Sequence, residues 1–186
     1  MKHAFLAAWC GSALVAAAMF ASQASAEEGK AFDIGGKYEL TSPANWVAKK
    51  PKSQIVEYEF EVPVAEGDEI PGRVTVMGAG GAIEDNINRW KGQFKTPDAG
   101  EVPTEVKQIE VAGQPVHMVD MKGVYLDKPG PFVQVPPTER PGFRMLAAII
   151  VTKDAGQYFV KFYGPDKTIA ANQAGFVKMI EGLKAK

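Results

Sequence analysis

The sequence predicts an α+β domain, an α/β/α sandwich whose mostly antiparallel central sheet lies between helical layers. Three observations lead there. Most of the chain reads as strands joined at hairpin distance, which makes neighbouring strands antiparallel. Two segments, one central and one terminal, switch to helical periodicity. The run Leu146 to Val151 is apolar on both faces, so that strand is central and needs cover above and below.

The first 26 residues stand apart from this domain. Lys2 and His3 precede an apolar run from Ala4 to Ala21, and Ala24-Ser25-Ala26 offers small residues before Glu27. A basic start, an apolar middle and an A-x-A site form a secretory signal peptide, cleaved after Ala26. Cys10 has Ala7 and Trp9 where a bacterial lipobox needs a Leu and a small residue, so no lipid anchor is expected. Removing residues 1–26 from the 186 leaves 160, a comfortable size for one domain. That domain is assigned to 37–186, after a mobile lead-in over 27–36 that ends in Gly35-Gly36. Cys10 leaves with the signal, so the exported chain has no disulfide and relies on packing.

Within the domain, Lys37 to Leu40 reads as a short strand, and Trp46 sits beside a turn. "QIVEYEFEV" is the clearest strand: Val56, Tyr58, Phe60 and Val62 share one face, and Glu57, Glu59 and Glu61 share the other. "RVTVM" follows at hairpin distance. From Ala82 to Phe94 the period becomes helical, with Ile83, Ile87, Trp90 and Phe94 as the apolar stripe. Glu84 and Asp85 suit its first turn, and Lys91 its last. Strands resume with "TEVKQIEV" and "PVHMVDMKGVYL", separated by the turn Ala112-Gly113-Gln114. A proline-rich segment spans Asp127 to Gly142. "FRMLAAIIV" and "QYFVKFYG" form a further hairpin, in which the partner of the apolar run Leu146 to Val151 is similarly apolar except for Lys161. Pro165-Asp166 opens a last helix, with Ile169, Phe176, Val177, Ile180 and Leu183 on its buried stripe.

The entry "YELTSPANWVAKKP", the early strand pair, the helix "EDNINRWKGQF" and the ending "FVKFYGP…FVKMIEGL" resemble the Mog1/PsbP-like superfamily. The resemblance covers nearly the whole exported chain, through element order and short phrases. It implies an α/β/α sandwich with an antiparallel sheet. It further implies a binding or accessory role, since relatives in photosynthetic lumens serve as extrinsic subunits of a membrane complex. No functional residue carries over, because no site motif is shared.

Several chemistries are poorly supplied. Gly78 and Gly80 begin a dinucleotide fingerprint, but Ile83 occupies the third glycine position, and Glu84 and Asp85 would repel phosphate. The exported chain has two serines, Ser42 and Ser53, neither in a nucleophile elbow, and one histidine. One histidine and no cysteine exclude the usual zinc sites, and no EF-hand loop is present. Glu57, Glu59 and Glu61 stand ~7 Å apart along a strand, too far to chelate one ion, and are read as a solvated face neutralised by Arg73 or a lysine. No cofactor is expected. With 20 basic against 22 acidic side chains after cleavage and no basic cluster, nothing points to nucleic acid, and no membrane span remains.

Two surfaces remain as candidates. At 16 residues and five prolines, the segment 127–142 is long for an unstructured connection and stiff. Phe132 and Val135 supply apolar contact and Arg140 and Arg144 supply charge, so it reads as a flap over a ligand or as a strap, either contacting a partner or packed on its own sheet. The second candidate is a cleft between sheet and helix lined by Asn86, Arg89 and His117. An exported, non-catalytic binding or accessory protein of the envelope is the leading expectation. A small-molecule carrier using the cleft is the alternative, and a hydrolase built on carboxylates and His117 the third.

Overall fold

Residues 29–128 and 135–186 are described by the computed structural model; residues 1–26, read from the sequence as a signal peptide, lie outside them. Eight strands form the main sheet: β3 (Val47–Lys49), β4 (Tyr58–Val62), β5 (Gly72–Ala79), β6 (Phe94–Lys95), β7 (Thr104–Val111), β8 (Gln114–Asp127), β9 (Thr138–Val151) and β10 (Gln157–Pro165). Their order is β3-β4-β5-β10-β9-β8-β6, with β7 also paired to β8. Every ladder in the sheet is antiparallel. A second, three-stranded sheet joins β1 (Ala31–Ile34), β2 (Tyr38–Thr41) and β11 (Lys184–Ala185). The helices are α1 (Ile83–Lys91) and α2 (Asp166–Glu181).

Period-2 alternation splits the side chains of β9 between two cores. Leu146, Ala148 and Ile150 face α2 and the small sheet, beside Phe162, Ile169, Phe176 and Ile180. Met145, Ala147 and Ile149 face α1, beside Ile87, Trp90 and Phe159. The doubly apolar run is therefore covered on both sides, as expected, and the layers are those of an α/β/α sandwich with a sheet added to one helical layer. Burying both faces of strands this apolar is the main stabilising term.

Two expectations need correction. Residues 31–34 belong to β1 and are not a mobile lead-in: Phe32 and Ile34 point inward and are buried. The turn after them uses Gly35 and Gly36 at φ of 62° and 69°. Gly35 also allows close approach, since a Cβ there would stand 2.5 Å from that of Ala155. The proline-rich segment is not a 16-residue loop either. Strand β8 runs to Asp127 and β9 begins at Thr138, so the connection is 128–137, and Pro141 lies within a strand. Proline is tolerated there because Pro141 is exposed at the outer end of β9, where no further strand needs its N–H.

The glycine cluster is a strand-to-helix turn. Its strand β5 has antiparallel neighbours on both sides, so no parallel crossover follows. Gly81 takes φ 92°, and the Asn86 amide donates to the carbonyls of Gly80 and Ala82 at 3.0 and 2.9 Å.

Candidate functional site

Beyond Phe143, β8 and β9 leave the body of the sheet. The ladder of β10 with β9 stops at Pro165↔Phe143, whereas β8 and β9 remain paired out to Asp127↔Thr138. The result is a two-stranded arm, supported beside β8 only by the two-residue strand β6. A ribbon of two strands cannot bury a face of its own, and Thr138, Glu139, Pro141 and Gly142 are exposed. A β-bulge between Gly123 and Tyr125 bends the arm. Glycine is needed at 123 because a Cβ would lie 2.7 Å from the Lys95 carbonyl oxygen.

At the base of the arm a cavity of about 190 Å³ is lined by Arg73, Tyr125, Asp127, Arg140, Phe143 and Tyr163, among others. The Tyr125 ring stacks parallel to Phe143 at 5.9 Å and meets Tyr163 at 5.4 Å. Arg73 donates from Nε and Nη2 to both carboxylate oxygens of Glu59, at 2.9 and 2.8 Å, and from Nη1 to Tyr163 Oη at 2.5 Å. This bidentate bond holds the Arg73 guanidinium above its ordinary pKa. Glu59 is thereby buried, not part of a solvated face, while Glu61 keeps its expected lysine partner in Lys49 at 3.2 Å. Burial pushes both phenols, Tyr125 and Tyr163, upward, so each stays a protonated donor near neutral pH. Arg140 pairs with Asp127 at 3.3 Å. Two phenols and two charge-matched arginines suit a hydrogen-bond acceptor, such as a peptide carbonyl, held against aromatic rings.

Beside this cluster, under α1, lies Lys161. Its ammonium donates to Gln93 Oε1 at 2.9 Å and sits 5.5 and 5.7 Å from the ring centres of Trp90 and Tyr163. Burial, reinforced by the charges of Arg89 and Arg73, pushes its pKa down to about 8. Among the described residues no carboxylate pairs with it.

The residues singled out from the sequence are dispersed. Arg140 lines the cavity, and Val135, 48% exposed, lies next to the arm on the connection. Phe132 falls outside the described residues. Arg144 is not a surface contact: it is 7% exposed on the opposite sheet face, donating to both oxygens of Asp120 at 2.8 and 2.5 Å. Alternation alone would put Arg140 and Arg144, four positions apart, on one face; the extra residue that β9 carries between Arg140 and Phe143, opposite Gly123 to Tyr125, reverses it.

Asn86 is buried, with its amide committed to the glycine turn; Arg89 donates to Asn86 Oδ1 at 2.7 Å. His117 is half-buried on β8 between Gln108 and Ile149. None of the three lines any of the five principal cavities found among the described residues. A cleft between sheet and helix does exist, at α2, and the recess beside α1 is lined by other residues than these three. The α2 cleft holds about 260 Å³ between α2, β7 and β8, over Ile109, Met118, Leu146, Phe176 and Val177. The serine Ser42 is buried and accepts the Lys30 N–H at 3.2 Å. Among the described residues, no three His, Cys, Asp or Glu side chains are grouped to hold a metal, and no helix is long and apolar enough to cross a membrane.

The Arg73–Glu59 pair answers to the expected neutralisation of the glutamates, but its joining to Tyr125 and Tyr163 in one cluster was missed by sequence reading. A further sign was Lys161, the only charged residue in the strand "QYFVKFYG".

No protein-family model matches the chain, and no curated protein matches it. Among solved structures it is similar to the solution structure of cyanobacterial PsbP (CyanoP) from Synechocystis sp. PCC 6803. The identity is 14% and the TM-score 0.52, covering 96% of this chain and 98% of that one. A crystal structure from Bacteroides thetaiotaomicron VPI-5482 aligns at 12% identity and TM-score 0.42, covering 85% of this chain and 48% of that one. The chain has a PsbP-like fold, as the Mog1/PsbP-like resemblance implies.

Proposed function

We propose that the chain is an exported, non-catalytic binding or accessory protein of the cell envelope, docking to a protein partner through the β8–β9 arm. The observation that carries this reading is the arm itself. Its paired residues extend past the last strand of the body, expose Thr138, Glu139, Pro141 and Gly142, and flank a cavity lined by Arg140 and two phenols. Loops and projections positioned by a rigid scaffold are where binding residues concentrate. Export rests on the basic, apolar and A-x-A pattern of residues 1–26. The PsbP-like fold is compatible with an accessory role but does not specify one.

The test is affinity capture from the native envelope extract with the wild-type protein and two variants. One replaces residues 128–137 with Asn-Gly; the other is Arg140→Ala. A reproducible protein partner, lost from the first variant and weakened in the second, is the expected result. Unchanged capture by both removes the arm as the contact surface. A specific observation favours one other reading: the α2 cleft could hold an apolar small molecule, and a small molecule co-purifying without any protein partner would select that carrier. Turnover abolished by His117→Ala would instead reinstate an enzyme.

A further inference from the structure

Strand β7 has only one neighbour among the described residues, β8. Its backbone polarity follows from the register. The Lys122 N–H donates to the Pro103 carbonyl, so the pair 103↔122 is hydrogen-bonded. Pairs two residues on, 105↔120, 107↔118, 109↔116 and 111↔114, then share that pattern. The positive φ of Ala112 and Gly113, 51° and 71°, closes a two-residue turn on the pair 111↔114 and requires the same phase. Consequently Val106, Gln108 and Glu110 direct their N–H and C=O groups away from β8. No described residue accepts or donates to them.

Both faces beside this edge are recessed. On the α2 side lies the 260 Å³ cleft, with Glu105, Lys107 and Ile109 of β7 on its wall. On the α1 side a shallower depression of about 580 Å³ runs between Val106 and the Ile83, Ile87 and Lys91 side of α1. Val106 is 47% exposed there. A strand added to β7 would bond the outward backbone groups and place alternate side chains in the two recesses, the geometry of peptide capture by β-augmentation.

Charge selects the occupant. Glu105 is matched by Lys107 at 2.7 Å and Asp120 by Arg144, whereas Glu110 and Glu181 make no ion pair among the described residues. Glu110 stands on the edge itself, and Glu181 lines the cleft. Two copies joined through β7 would bring two net-acidic edges together, so a second copy is a poor match. We infer that the free edge of β7 takes an extended segment of a partner protein, carrying apolar residues at alternate positions and Lys or Arg between them, as an added strand. This site is separate from the β8–β9 arm, so the two readings stand or fall independently.

The probe is a phage-displayed library of random 12-residue peptides, selected on the purified protein. Enriched peptides should alternate apolar residues with Lys or Arg, and a synthetic copy should shift the amide signals of Val106, Gln108 and Glu110. Gln108→Pro deletes one outward N–H that the fold does not use and should weaken that peptide about tenfold or more without altering the melting temperature appreciably. Should Gln108→Pro disturb folding, the double variant Glu110→Lys, Glu181→Lys supplies the same test through charge and should also weaken binding. Failure to enrich such peptides, or binding indifferent to these variants, overturns the proposal. A concentration-dependent dimer dissociated by Gln108→Pro also overturns it, in favour of self-pairing.

Discussion

Lys161 is the residue whose position calls for a reason, because an ammonium among aromatic rings with one hydrogen bond is destabilising unless something uses it. Its folded pKa of about 8 lies below the ordinary 10.5. The unfolded chain therefore binds more protons between those values, and this group's unfavourable contribution, full below pH 8, fades as pH rises toward 10.5. The raised phenols act oppositely only above pH 10, where the unfolded tyrosines ionise first. The window from pH 8 to 10 thus isolates the lysine. Lys161→Met should stabilise the protein at pH 7 by about 1–2 kcal/mol, after allowing for the lost bond to Gln93. Urea unfolding at pH 7 and pH 10 checks this: the advantage of the variant should shrink at the higher pH, and an equal advantage at both would refute the assignment. If the same variant also weakens partner capture, the lysine is retained for binding at the expense of stability.

At the scale of elements, turn chemistry gives a sharper test than strand pattern. The β7–β8 turn places Ala112 at φ 51°, a left-handed conformation costing an L-residue with a Cβ roughly 1 kcal/mol or more. Asn-Gly is the pair this turn prefers. Ala112→Asn should therefore stabilise the fold by about 0.5–1 kcal/mol, raising the melting temperature by roughly 2–3 °C in a domain of this size. A lower melting temperature would mean that the turn is built differently. The same contrast explains which elements could be read beforehand. Strands β4, β5 and β7 to β10 are long enough for a period of two or an apolar run to declare itself, and α1 and α2 show the helical stripe. Strands β1, β3, β6 and β11 have two to four residues each, too few to display a period, and β3, β6 and β11 exist because longer neighbours supply a ladder. Proline misled at the start of β9, since Pro141 reads as loop but occupies a strand end where its missing N–H is not needed.

Across the whole molecule, the candidate site escapes a linear reading because distance along the chain hides it. Arg73 and Tyr163 touch although 90 positions apart, and Glu59 and Tyr125 reach them from two further strands. Arg140 was visible beforehand as a charge beside prolines, and Arg73 only as a neutraliser of the glutamate face. The same long-range closure holds the two ends of the described fold. β11 pairs with β2 through Lys184↔Glu39 and Ala185↔Tyr38, the Lys186 N–H donates to the Lys37 carbonyl at 2.9 Å, and the Lys186 ammonium pairs with Asp33. The last three residues thus complete the small sheet that shields Phe32, Ile34 and Leu40 beside α2. Ending the chain at Leu183 keeps that buried side chain and removes only this strand. Amide exchange should then accelerate about tenfold or more over residues 31–41, where the small sheet opens as a local unit, while β9 and β10 keep their protection. Acceleration spread evenly over both sheets would show that they open together. No change anywhere would show that the β1–β2 hairpin holds its place through packing on α2 alone.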